Sequence, residues 1–185
     1  MTFDEKLEEL FQDLMRARDT YEAWWNLKNE EVRPKYVEAM NRYSEYFIVA
    51  LHSHFVAMLM ALFRLYDDTN PKALSIPRFL VSAQSEPNMP REVRERAEAG
   101  LQRVAPVVKK IRLLRDKVFA HRDRSYTYER ALEEVDLTPD EIGQLTDDTL
   151  VIINGLMKAR KKGTYEFEHK TKRDLLKLLA DLHSL

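Results

Sequence analysis

An all-α protein is what this sequence predicts, and three observations predict it. Apolar residues recur at three- and four-residue spacing along long stretches, as one buried helical face requires. Two of these stretches are headed by helix start signals, Thr2 with Glu5 and Thr138-Pro139 with Glu141. Only 4 of the 185 residues are glycine while 33% are charged, the balance of a helix-rich chain with solvated faces. The expected arrangement is an up-and-down helical bundle with short peripheral helices, in a single domain over residues 1–185, because that length suffices for one sizeable core.

The elements follow in order. Leu7, Leu10, Phe11, Leu14, Tyr21, Trp24 and Trp25 place a first helix at residues 3–29. Pro34 suits the start of a second, expected to run to Tyr66. Residues 47–65 are the most apolar stretch. They carry His52, His54 and Arg64 and have charged flanks, so the expectation is a buried central helix and not a membrane span. Asp67 to Pro71 is a loop by composition, and Ser75 is placed to cap a short helix at 76–84. A further helix begins near Arg91. Pro106 should break or kink it, since proline lacks the N–H donor and crowds the preceding turn. Its second half, 106–122, is followed by a stretch to Asp136 with room for one short helix. The helix opened by Thr138 should stop at Gly163, and Leu175, Leu176, Leu178, Leu179 and Leu182 define a last one at 170–183.

Composition narrows the function classes. Lys plus Arg number 30 against 31 Asp plus Glu, so affinity for nucleic acid has to come from a local patch. Cysteine is absent, which removes disulfide frameworks, thiol catalysis and cysteine zinc sites and is compatible with a reducing cytosol. The acidic start Thr2-Phe3-Asp4-Glu5 is unlike a signal peptide, so a cytoplasmic location is expected. There is no glycine-rich phosphate loop, no Ser-His-Asp pattern and no Glu-x-x-His pair suited to a di-iron bundle, and no metal or cofactor is expected.

The local patch is the end of the fourth predicted helix. Ile111, Leu114 and Val118 face inward, leaving Arg115, Asp116, His121 and Asp123 on the remaining surface. Arginine is always charged and its planar fork grips phosphate, whereas histidine exchanges a proton near neutral pH. Six positions of ideal helix turn through about 600°, so Arg115 and His121 stand roughly 120° apart and about 9 Å apart along the axis. A long arginine side chain, a bend before His121, or a second copy of the helix across a two-fold axis would bring them together. Around them lie Lys109, Lys110, Arg112, Lys117, Arg122 and Arg124. Such cations either contact phosphates, each adding salt-dependent affinity, or merely complement the negative end of the helix dipole.

Arg115-Asp116, four residues, then His121 resembles the motif of the HEPN superfamily. The string Arg-Asp-Lys-Val-Phe-Ala-His-Arg-Asp over residues 115–123 is similar to the abortive-infection AbiU-type branch, as is Leu59 to Asp67 followed by Leu74-Ser75-Ile76. The likeness extends over roughly residues 45–155. It implies a HEPN-like bundle and a metal-independent endoribonuclease of toxin or phage-defence type. In that reading His121 is general base or acid for attack of a ribose 2′-OH on the adjacent phosphate. Arg115 holds the phosphate, Asp116 orients Arg115 or His121, and Arg112, Lys117, Arg122 and Arg124 bind substrate. The resemblance further implies an RNA substrate, a homodimer whose two Arg…His helices line one cleft, and a nucleotidyltransferase-type antitoxin. Some such toxins carry a tyrosine two residues after the histidine, which the antitoxin modifies. Here that position is Asp123, so this mode of neutralisation is not expected. The alternative is a non-catalytic HEPN-like nucleotide-binding or protein-interaction module. A purely structural helix would bury Arg115 in an ion pair.

Other conspicuous residues have plainer roles. His52 and His54 point about 160° apart on a helix and make a poor ligand pair, so a buried or interface role is expected. Asp67, Asp68 and Asn70 lack calcium-loop spacing. Trp24, Trp25 and Tyr21 suit core packing better than base stacking. Lys158, Arg160, Lys161 and Lys162 complete a helix C-terminus.

Overall fold

The structure is a computed structural model, and it describes residues 1–120 and 127–184. Among these residues there are eight helices and no strand: α1 (Phe3–Lys28), α2 (Arg33–Arg42), α3 (Ser44–Tyr66), α4 (Ile76–Ala83), α5 (Arg91–Ala120), α6 (Tyr128–Glu134), α7 (Pro139–Ala159) and α8 (Lys170–His183). The all-α expectation holds. α1 packs against α3, α7 and α8, and α5 lies between α3 and α7.

Both start signals work as capping boxes. Thr2 accepts from the Glu5 amide while Glu5 returns to the Thr2 amide, and Thr138 and Glu141 repeat the exchange. The main core joins Leu7, Leu10 and Leu14 of α1 to Phe55, Leu59 and Leu62 of α3, Val104, Ile111 and Leu114 of α5, and Ile153 and Met157 of α7. A smaller cluster of Leu27, Met40, Phe47 and Leu179 forms where α2 and α8 close over the end of α1. Arg18 locks α1 to α7, reaching the Thr146 hydroxyl at 2.8 Å and Asp147 at 3.0 Å. Its Nε bonds the buried carboxylate of Glu22, which also holds His169 at the head of α8.

Five expectations need correction. The helix beginning near Pro34 does not run through to Tyr66. It breaks at Tyr43, whose φ and ψ are −121° and 40°. α2 buries only Ala39 and Met40 and turns aside to pair with α8, which α3 could not do as a continuous rod. Pro106 does not break α5, which runs uninterrupted for 30 residues. Pro106 is exposed, so the Gln102 carbonyl that loses its helical donor faces water, while Val104, Val108 and Ile111 keep the inner face packed. α7 ends before Gly163, and Lys161 takes the left-handed conformation (φ 58°), closed by the Lys162 amide on the Met157 carbonyl at 3.0 Å. Arg160 is drawn off to Asp4 at 2.8 Å and Glu86 at 3.0 Å. α3 is buried on one face only. It is long and apolar enough to cross a membrane, yet 28% of its most apolar window is buried inside the bundle. Tyr46, Ile48 and Val49 are each more than 60% exposed.

Ser75 precedes α4 in extended conformation but makes no side-chain cap, and its buried hydroxyl has no described partner.

Candidate active site

α5 and α3 run antiparallel, which sets the order of groups along the site. Arg112 donates to the Tyr66 carbonyl at the end of α3 (2.7 Å) and pairs with Asp68 just beyond it (2.8 Å). One turn further along α5, Arg115 lies over the ring of Phe63, one turn back along α3, with its guanidinium carbon 3.9 Å from the ring centroid. Its Nε donates to Asp116 Oδ1 at 2.8 Å, and Nη2 bonds the same oxygen. The fork is therefore held at one edge by a carboxylate and on one face by an aromatic ring, an arrangement open to arginine but not to lysine. The Arg115 side chain is 32% exposed, so it is not the buried ion pair of a purely structural helix.

Lys117 reaches across to α6 and pairs with Glu134 at 2.6 Å. Lys110 bonds Glu141 at 2.8 Å, fastening α5 to the start of α7. That bond, with a further one from the Thr138 amide, holds the Glu141 carboxyl below its usual range. The basic run is thus divided. Arg112, Lys117 and Lys110 tie α5 to its neighbours, and Arg115 keeps an open side. The Arg112 Nε is buried without a described partner. His121, Arg122 and Arg124 lie outside the described residues.

The chain resumes beside α3. Tyr128, the first residue of α6, hydrogen-bonds His52 and stacks on Phe55 with ring centroids 4.4 Å apart. From His52 to Phe63 is about 16 Å of helix. Arg115 towards the end of α5 and Tyr128 at the start of α6 therefore both contact α3, whose outer side carries the exposed Tyr46, Ile48 and Val49. His54 is half-buried, and burial lowers its pKa. Trp24 is in the core, as expected, while Trp25 contributes to the wall of a cavity of about 470 Å³ that Tyr128, Leu132 and Leu137 also line. Among the described residues, no group of three or more His, Asp or Glu side chains could hold a metal ion.

Phe63 is the residue that motif reasoning missed. It is separated from Arg115 by α4, most of α5 and the two loops that precede them, and no local pattern connects them. Only the antiparallel pairing of α3 with α5 does.

A model of the HEPN AbiU2 family, described as AbiU2, matches residues 2–180. The chain belongs to this family. The match extends well beyond the stretch whose wording first suggested it, taking in α1 and most of α8. Family membership suggests an abortive-infection, HEPN-type function. No curated protein and no solved structure matches the chain.

Proposed function

We propose that this protein is a metal-independent endoribonuclease that works as a cytoplasmic homodimer. The observation that carries the reading is Arg115: its guanidinium is fixed by Asp116 and the Phe63 ring and left partly open. A phosphate diester arriving there meets a charge already oriented by the fold, and that preorganisation favours the more negative transition state over the ground state. The reaction follows from the substrate. The ribose 2′-OH gives its proton to a base, and its oxygen forms a bond to the adjacent phosphorus. The bond to the 5′-oxygen of the next nucleotide breaks, and that oxygen takes a proton. The products are a 2′,3′-cyclic phosphate and a 5′-OH. We assign the proton transfers to His121 and charge stabilisation to Arg115, positioned by Asp116. Arg112, Lys117, Arg122 and Arg124 lie on or close after the same helix and supply phosphate contacts, Arg112 and Lys117 by exchanging their present partners.

On an ideal helix the spacing of Arg115 and His121 does not bring them into a tight pair. A two-fold pairing over the open side of α3 offers each site a second copy of both residues. The deciding test is cleavage of a labelled RNA in EDTA by wild type, Arg115→Ala and His121→Ala, with fold and sedimentation checked for each. Cleavage by wild type with a loss of about a hundredfold or more in both variants is expected. Equal cleavage by all three would refute the assignment. RNA binding without cleavage by wild type would make the protein a binding module.

A further inference from the structure

A second site lies on the opposite half of α5. Between α5 and α7 runs a groove of about 410 Å³ with an apolar floor of Val93, Ala97, Val151 and Ala159. Two glycines shape it. Gly100 lets the helices approach, since a Cβ there would meet Ile152 Cγ1 at 2.7 Å. Gly155 leaves the groove open, because nothing lies within 4 Å of where its Cβ would be. Val151 is 64% exposed on the floor.

The rim carries Arg96, Arg103 and Lys158, and no carboxylate lines the groove. None of the three cations forms an ion pair with a described residue. The acids on the same turns of α5 are engaged elsewhere, Glu95 with Arg91 at 2.6 Å and Glu98 with the Gln84 amide at 3.3 Å. Three unpaired cations around an uncovered aliphatic floor are an electrostatic half waiting for its complement.

We propose that this groove docks an acidic amphipathic helix of a partner protein. The spacing of the cations selects the occupant. Arg96 and Arg103 are seven residues apart on one face, about 10.5 Å along the axis. Two carboxylates seven residues apart on a partner helix match that spacing. The floor selects it too. Its side chains are aliphatic, with no ring on which a nucleobase could stack, so single-stranded RNA finds charge there but no platform. An apolar stripe flanked by acids satisfies both requirements, in the helix-in-groove mode.

The test uses the full chain, isotope-labelled, and a synthetic peptide of about 15 residues with leucines at helical spacing and glutamates seven residues apart on the flanks. Saturable NMR shifts confined to Ala97, Val151 and Gly155 and their neighbours are expected. Gly155→Leu should fill the groove and weaken binding by about tenfold or more. It leaves every cation in place and puts a better helix former into α7, so loss of fold is not an available explanation. Arg96→Glu with Arg103→Glu should weaken binding at least as much, and wild-type affinity should fall with added salt. Absence of saturable shifts, shifts elsewhere, or indifference to Gly155→Leu would overturn the proposal. So would equal occupation of the groove by a short RNA or by decanoate.

Discussion

Arg115 shows how much chemistry one side chain can draw from two neighbours. Asp116 supplies an oxygen for two of its nitrogens, and Phe63 supplies a surface. A cation over a ring at a partly exposed position is worth about 0.5–1 kcal/mol. Phe63→Leu removes the ring and retains an apolar side chain. It should slow RNA cleavage by about two- to fivefold under single-turnover conditions, with the melting temperature nearly unchanged. An unchanged rate would mean that Asp116 alone orients the fork. Sequence reasoning reached Arg115 and Asp116 because they are adjacent and lie within a family-like string. It did not reach Phe63, nor the engagement of Arg112 with Asp68 and of Lys117 with Glu134, because those partners are 44 and 17 residues away. Composition shows that a helix end is basic, but which cations are already spoken for is decided by tertiary contacts.

At the scale of elements, helix beginnings were far more legible than helix ends. Thr2 and Thr138 cap as their spacing predicts, because a capping box is closed within four residues and needs nothing from elsewhere. Thr138→Ala should cost about 1 kcal/mol in a denaturant titration. The end of α7 was misplaced because Arg160 answers to Asp4 and Glu86, which are distant in the chain, and the break at Tyr43 because α2 answers to α8. The start of α7 also carries a pH dependence. Lys110 holds the folded-state pKa of Glu141 below its ordinary value of 4.5. The stability Glu141 contributes is present above that value and is lost as pH falls through the folded one. In Lys110→Met the Thr138 amide remains, but the larger cause of the shift is gone. Urea midpoints measured from pH 3 to pH 6 should therefore fall less steeply on the acid side than in wild type. Parallel curves would contradict the linkage.

For the whole molecule, the apolar run in α3 was the strongest signal in the sequence and the one most easily over-read. Hydropathy reports that a face is to be covered, but not whether by the same chain or another. Phe55, Leu59 and Leu62 are covered by α1 and α5, while Tyr46, Ile48 and Val49 are not covered by any described residue. If the proposed dimer forms over this side, Val49→Glu should convert it to a monomer in sedimentation velocity. The circular dichroism spectrum should be retained and RNA cleavage lost, because the substitution places a charge where no internal packing is disturbed. A dimer that persists in this variant would move the two-fold axis elsewhere. The groove between α5 and α7 lies on other surfaces of the bundle, so this variant should leave peptide docking there intact.

The packing of α5 against α7 has a temporal side. Ribosomes deliver this chain from α1 onward, so α5 with Arg115 emerges well before α7. Until α7 arrives, Lys110 has no Glu141 to hold, and α5 lacks the helix it packs against along much of its length. Arg18 and the buried Glu22 of α1 wait longer still, for Thr146, Asp147 and His169. A nascent chain thus carries the arginine, with the Phe63 and Asp116 that hold it, before it carries the helix against which the rest of α5 packs. What is completed only as the last helices emerge is the packing of the bundle around α1 and α5.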